Sequence, residues 1–161
     1  MRVFLLFLVS LLFPLALFAQ SSTNDTVPVL GQSNRYAFEI TTPKAALTGI
    51  MIVKESDGEI LGSMINEFGV SAIDFRYDRS RDKLKLLSVV GFLDKWYIKM
   101  TMKKDLRFCL HVLFDIPYKS EKNYEISFSS DSYQVVNKKR KITYTFTRMS
   151  LPEDDTERQS I

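Results

Sequence analysis

The chain has 161 residues, a formal net charge of +3 and one cysteine, Cys109. Lysine and arginine together number 22 against 19 aspartate and glutamate residues. This near balance argues against nucleic-acid binding through bulk charge, so we expect no nucleic-acid partner. A single cysteine excludes an intramolecular disulfide, and the fold must therefore be stabilised by a hydrophobic core.

The N-terminal segment predicts export. Arg2 is its only charged residue, an apolar run fills Val3–Phe18, and the small residue Ala19 precedes a polar stretch. A short positively charged N-terminus, an apolar segment and a small residue at the cleavage position are typical of a secretory signal peptide. The apolar run is too short to span a bilayer comfortably. We therefore predict a signal peptide over residues 1–19 and a mature protein in the periplasm, soluble or peripheral to the envelope.

The rest of the sequence predicts one domain with polar extensions. Residues 20–33 are rich in Ser, Thr, Asn and Gly and indicate a flexible leader, and residues 150–161 form a polar tail. Between them, residues 34–149 are predicted to form a single β-rich domain. Removing 19 of the 161 residues leaves 142, enough for a domain that buries roughly two-thirds of its unfolded surface.

Alternation of apolar and polar side chains dominates this domain. Tyr36, Phe38 and Ile40, for example, alternate with more polar neighbours, as in a strand with one covered face. Asp57–Gly58 is a hairpin turn signal. The predicted strands are Tyr36–Ile40, Leu47–Lys54, Glu59–Ile65, Ser71–Tyr77, Leu84–Leu87, Tyr124–Phe128, Ser132–Val136 and Ile142–Phe146.

The interval from Val89 to Phe114 departs from this alternation. Its apolar residues recur at helical spacing and few are β-branched, which favours two consecutive helices, the second capped by Asp105. For residues 95–104 an alternating pattern also permits a strand. The first helical set comprises Val89, Leu93, Trp96, Tyr97 and Met100, and the second comprises Leu106, Cys109, Leu110 and Leu113. We therefore predict an α+β fold, mainly antiparallel β, with an incomplete (half) β-barrel wrapped around a helical insert.

Side-chain catalysis finds little support in the sequence. Cys109 and His111 are two residues apart, which on a helix turns them by roughly 200° to opposite sides. Cys109 is predicted to be a small buried residue. His111 is predicted to be either a surface residue or a polar residue whose hydrogen bonds are satisfied. One Cys and one His cannot complete a zinc shell, and a carboxylate pair would need Glu67 and Asp74, which flank a Gly-containing turn. We expect no enzyme activity, no metal and no cofactor.

The apolar content exceeds what such a short chain commonly carries. There are 12 Phe, 7 Tyr and 6 Met residues, part of them in the predicted signal. Two interpretations stay open: an ordinary packed core, or a sheet and helices that close incompletely around an apolar cavity. In the second, Lys99 and Lys103 lie at the rim and meet an anionic headgroup. The predicted ligand-binding residues are Met51, Met64, Phe75, Trp96, Met100, Met102 and Leu106.

Three segments carry a resemblance to a known family. They are LTGIMIVK (Leu47–Lys54), SMINEFGVSAIDFRYD (Ser63–Asp78) and LDKWYIKMTMKKDLRFCL (Leu93–Leu110). With the order of elements, they resemble the extracytoplasmic lipoprotein-carrier and lipoprotein-receptor (LolA/LolB-like) superfamily over Tyr36–Arg148. The resemblance implies an incomplete antiparallel barrel around helices that holds acyl chains in its hollow. The N-terminal lipid-anchored Cys of the receptor branch is absent here.

These observations predict a binding protein of the cell envelope. We expect a monomer that holds a lipid or acylated ligand in an apolar concave cavity, with transient membrane contact, in lipid or lipoprotein transport. The alternative is an envelope protein–protein interaction module with a fully packed core. The discriminating property is whether the isolated protein binds an apolar ligand.

Overall fold

The computed structural model describes residues 33–119 and 121–150, and the predicted signal peptide, most of the leader and nearly all of the tail lie outside these ranges. Eight strands and one helix form in this part of the chain. The strands are β1 Ser33–Thr41, β2 Ala46–Ser56, β3 Glu59–Asn66, β4 Ser71–Asp78, β5 Lys83–Val89, β6 Tyr124–Phe128, β7 Ser132–Asn137 and β8 Ile142–Arg148, and the helix, α1, is Trp96–Leu113.

All eight strands belong to one antiparallel sheet, in the order β5–β4–β3–β2–β1–β8–β7–β6. Strands β5 and β6 form its two edges, and α1 connects them along the chain. The helix contacts β5 on one side and β7 on the other. The predicted α+β, mainly antiparallel class is confirmed, and the sheet is open, since its edge strands do not close it into a barrel.

The strands form where the sequence alternates, because each then turns one apolar face toward the helix. In β1, Tyr36 and Phe38 are buried. In β2, which is apolar on both faces in the sequence, Met51 and Val53 are buried, while Ile50 is 41% exposed. Burial against α1 therefore selects one of the two faces of β2.

The Asp57–Gly58 hairpin is confirmed. Both residues have positive φ, 53° and 77°, and the flanking residues Ser56 and Glu59 pair across the turn. Two positive φ values in succession are the requirement of the type I′ turn, whose twist matches that of the strands.

The prediction of two consecutive helices is wrong, as is the alternative of a strand over residues 95–104. One helix runs from Trp96 to Leu113, and Val89 is the last residue of β5. Between them the chain turns through short backbone hydrogen bonds, including Leu93 N–H to the Val90 carbonyl. Val89 and Leu93 are four residues apart, which is the spacing of a helix, but the end of a strand and a tight turn can present apolar residues at the same spacing.

Asp105 does not cap a helix. It lies in the middle of α1 and is buried, with 1% of its surface exposed. The helix begins after Lys95, which makes no side-chain capping bond. The prediction that Asp105 caps a helix is therefore wrong. Its carboxyl group is a buried hydrogen-bond acceptor within the helix.

The core lies between the inner face of the sheet and the second half of α1. The helix contributes Leu106, Cys109, Leu110 and Leu113, and all are buried. On the sheet, the ring of Phe75 lies over Gly62, its direct partner on β3. A Cβ at position 62 would stand 2.1 Å from Cζ of Phe75, so only glycine leaves room for the ring.

We predict that Gly62→Ala destabilises the protein by about 1–3 kcal/mol, because the added methyl displaces a buried ring. Gly91→Ala is the matched control, since no heavy atom lies within 4 Å of its Cβ position. That change should be neutral or stabilising by about 0.4–1 kcal/mol through the unfolded chain. Urea denaturation of both variants checks this; equal stabilities would contradict the packing described for Phe75.

Candidate functional site

An apolar groove of about 410 Å³ lies where the first half of α1 crosses one end of the sheet. Its walls come from the end of β1, the starts of β2 and β8, the loop before α1 and the helix itself. A volume of a few hundred Å³ with mainly apolar walls and few polar groups is typical of small-molecule sites. The sheet side is lined by Ile40, Leu47, Ile142 and Tyr144, and the helix side by Phe92, Leu93, Tyr97, Ile98 and Met102.

Local periodicity explains why this groove is apolar. On the helix, Tyr97, Ile98 and Met102 recur at the spacing of a single stripe. On the sheet, Ile40 and Ile142 continue the inward-facing positions of β1 and β8. Both are only partly buried and pack at the margin of the core, so the groove is a continuation of the core that side chains leave unfilled.

A buried carboxyl group adjoins the inner end of the groove. Asp105 of α1 accepts hydrogen bonds from the Tyr124 hydroxyl (2.5 Å) and the Tyr144 hydroxyl (2.8 Å). The Asn137 amide donates to both of its oxygens, at 2.9 and 3.1 Å. Each carboxyl oxygen thus accepts from two donors, and β6, β7 and β8 each supply one side chain. We call these four residues the Asp105 cage.

The cage holds its tyrosines in the protonated, donating form. Burial, together with the adjacent Asp105, raises the pKa of both Tyr124 and Tyr144 well above the usual value. Tyr144 also lines the groove, so the cage ties the groove wall to the helix. These hydrogen bonds join α1 to β6, β7 and β8 and so position the helix on the sheet.

A basic depression of about 290 Å³ opens beside the groove and shares Thr101 and Arg140 with it. Lys104 and Lys139 also line it, and Asp105 lies at its base. Lys104 is paired with Glu121 at 2.7 Å. Arg140 forms no ion pair within the described part of the chain. The groove therefore has an apolar interior and a cationic side.

A second polar network attaches the C-terminal half of the helix to the β4–β5 turn. Asp82, in the β4–β5 turn, lies 2.7 Å from His111 Nε2 and accepts from the Tyr77 hydroxyl and from Arg107 at 3.0 and 2.7 Å. Partial burial raises the pKa of Asp82, but the hydrogen bonds from His111 and Tyr77 and the nearby positive charge of Arg107 together outweigh it, so the pKa lies below its usual value. Burial and the bond to Asp82 raise the pKa of Tyr77 to about 12. We call these residues the Asp82 latch.

The residues considered for catalysis lie in structural positions. Cys109 is buried, and burial followed by the nearby Asp105 raises the pKa of its thiol well above the usual value. A thiol in that state is a poor nucleophile. His111 is buried and bonded through Nε2, while Nδ1 has no hydrogen-bond partner among the described residues. Asp74 accepts from two serine hydroxyls on the sheet surface.

The seven residues predicted to bind a ligand occupy four environments. Met102 lines the groove, and Met100 lines the basic depression. Trp96 is 74% exposed at the start of α1. The other four are fully buried in the core: Met51, Met64, Phe75 and Leu106.

The two predicted rim lysines differ in their surroundings. Lys99 forms an ion pair with Asp94 at 2.5 Å in the loop before the helix. Lys103 is exposed on α1. Arg140, which was not among the predicted rim residues, is the cation that lines the groove.

Sequence analysis missed the Asp105 cage. One signal was present, because Asp105 is an isolated acid within the apolar stripe of α1 and such a residue needs buried partners. The identity of those partners carried no sequence signal. Tyr124, Asn137 and Tyr144 lie 19, 32 and 39 residues away along the chain.

No protein-family model matches the chain, and no curated protein is similar to it in sequence. Within residues 33–119 and 121–150, no group of three or more His, Cys, Asp or Glu side chains is placed to hold a metal ion. The helix in this same part of the chain is not long and apolar enough to cross a membrane. Function must therefore be inferred from the geometry of the groove and its surroundings.

We predict that Asp105→Asn destabilises the protein by about 2–4 kcal/mol, because the new amide group faces donors and leaves at least one of them unpaired in the interior. Asp94→Asn is the control, since Asp94 is half exposed and its ion pair with Lys99 should contribute less than about 1 kcal/mol. Chemical denaturation of both variants is the measurement. Equal, small losses would contradict the role assigned to the cage.

Proposed function

We propose that the protein is an exported, non-catalytic carrier that holds an acyl chain or another lipid-like ligand in the apolar groove. The observation that carries the proposal is the groove itself, with aliphatic and aromatic walls on both sides and a volume of about 410 Å³. Each methylene that leaves water contributes about 0.8 kcal/mol, so a chain is held without specific polar contacts. Such a protein would serve lipid or lipoprotein transport in the periplasm.

The open sheet supports this proposal. Its edge strands β5 and β6 are not paired with each other, and α1 lies over the inner face between them. This is compatible with the incomplete barrel around a helix that the resemblance to lipoprotein carriers implies. Register shifts at Met64–Ile65 and Asp74–Phe75 are irregularities of the kind that bend strands and increase their twist.

The polar groups of the groove suggest how a ligand is oriented. Thr42, Tyr97, Thr101 and Arg140 carry hydrogen-bonding or charged groups along the groove, and the Tyr144 hydroxyl is engaged with Asp105. A guanidinium presents several donors and suits a carboxylate or phosphate. We place the apolar part of the ligand against Leu47 and Ile142 and its anionic end toward Arg140.

A second function is favoured by a different observation. Met51, Met64 and Phe75, predicted to bind the ligand in an apolar cavity, are fully buried and packed. A closed core of this kind suits an envelope protein–protein interaction module that carries no ligand. The two functions differ in whether the groove takes up an apolar molecule.

We predict that Leu47→Asp weakens uptake of N-phenylnaphthylamine, a neutral apolar dye, by more than about tenfold, because a charge in the groove wall must be desolvated when the dye enters. Leu47 is half-buried at the groove wall, so the substitution leaves the buried core in place. Dye fluorescence measured by titration reports the affinity, and circular dichroism confirms that the variant is folded.

Leu87→Asp is the matched control, because Leu87 is 49% exposed on β5 and does not line the groove. It introduces the same residue and the same charge, and dye binding should stay within about twofold of the unaltered protein. A protein that takes up no dye, or two variants with equal affinity, would contradict the carrier function and favour the interaction module.

A further inference from the structure

Several turns and loops meet at one end of the sheet, beside the mouth of the groove. Thr41 pairs with both Ala46 and Thr143, so the β1–β2 turn and the β7–β8 turn lie side by side. The loop that leads into α1 leaves β5 at the same end. We call this end of the molecule the docking edge, and define it by residues 90–100 and 138–141 together with the groove mouth.

Large apolar side chains are exposed on the docking edge. Trp96 is 74% exposed, and Phe92, Tyr97 and Met100 are each more than half exposed. Trp96 contacts Tyr97 edge-to-face, with ring centroids 6.0 Å apart. The fold does not need these side chains on its surface, and a concentration of them marks an interaction site.

A run of positive charge lies directly beside these side chains. The β7–β8 turn carries Lys138–Lys141, four consecutive basic residues that are all exposed. None of the four makes an ion pair with another residue of the described ranges. Arg140 lines the groove together with Phe92 and Tyr97, and it lines the basic depression together with Met100. Cations and exposed apolar groups are thus neighbours on one surface.

We propose that the docking edge binds the surface of an anionic lipid bilayer. Lys138–Lys141 contact lipid phosphates, while Trp96 and Tyr97 enter the boundary between headgroups and acyl chains, the depth that these two residue types prefer. Charge complementarity supports this occupant, because basic residues without acidic neighbours in the turn face a surface of negative potential. An acidic protein partner would match the charges but would not require the exposed aromatic residues.

The positions of the two ends of the domain are compatible with a docking edge that faces the bilayer. Ser33 pairs with Lys54, and Tyr36 pairs with Arg148, so both ends of the domain lie at the opposite end of the sheet. The docking edge is therefore remote from the points where the chain leaves the domain. Because the groove opens at this same edge, docking would let an acyl chain pass from the bilayer to the groove without crossing water. This transfer of an acyl chain rests on the proposed function, whereas binding of the docking edge to the bilayer does not.

The experiment uses Trp96, the single tryptophan of the chain, as the reporter. The purified protein is mixed with vesicles of phosphatidylcholine and phosphatidylglycerol, and with vesicles of phosphatidylcholine alone. We expect a blue shift of tryptophan emission, and quenching by brominated acyl chains, with the anionic vesicles only. An absent shift with anionic vesicles, or an equal shift with both vesicle types, would overturn the proposal.

Two triple variants of equal charge test the basic turn. Lys138→Gln/Lys139→Gln/Arg140→Gln should weaken binding to anionic vesicles about a hundredfold, since each basic residue near the surface contributes about fivefold. Lys54→Gln/Lys83→Gln/Lys85→Gln removes the same charge from exposed positions elsewhere on the sheet and should change binding far less. Equal losses in the two variants would mean that net charge alone drives binding and would overturn the assignment of the edge.

The apolar contribution is tested separately from the charges. Phe92→Ser/Met100→Ser keeps the reporter and should weaken vesicle binding, while Leu61→Ser/Leu87→Ser, at exposed positions on the strands, should not. Unchanged vesicle binding by Phe92→Ser/Met100→Ser would overturn the proposal that apolar side chains of the docking edge enter the bilayer. Failure of dye uptake with vesicle binding intact would reject the carrier function alone, so the two proposals fail by different results.

Discussion

The burial of the Asp105 carboxyl group is the constraint on which the rest of the structure depends. Moving a carboxyl group away from water costs several kcal/mol unless hydrogen bonds replace its hydration. Tyr124, Asn137 and Tyr144 supply those bonds from three neighbouring strands. Apolar contacts alone would let α1 slide or rotate over the sheet, because they have little directionality. Hydrogen bonds are directional, so the cage sets both the position and the rotation of the helix.

The groove and the docking edge follow from where the helix is fastened. The cage and the Asp82 latch both attach the second half of α1, through Asp105, Arg107 and His111. The residues of that half are largely buried, whereas Trp96 and Met100 in the first half are exposed. A helix held tightly at one end leaves its other end free to form one wall of a groove. The same geometry brings its first turn beside the basic β7–β8 turn.

The strands could be predicted to within a few residues because their signal is local. Alternation in β1 and in β8, and the Asp57–Gly58 turn, depend only on near neighbours in sequence. The helix was predicted in part. Its apolar stripe was recognised, but Val89 and Leu93 were assigned to it although one ends a strand and the other lies in a turn. The spacing of apolar residues indicates which side chains are buried, but it does not indicate whether they belong to a strand, a turn or a helix.

By itself, the sequence determined the fold class, the positions of the strands and the face that each presents to the core, since these follow from the period of the side chains. Only the tertiary structure decided the partners of Asp105, because these lie 19 to 39 residues away and the choice among all tyrosines and asparagines has no local signature. It also decided that Met51 and Phe75 fill the core while Leu47 and Ile142 line a groove. All four are apolar inward-facing positions of strands, and what separates them is whether the helix, fastened at its other end, packs down on them.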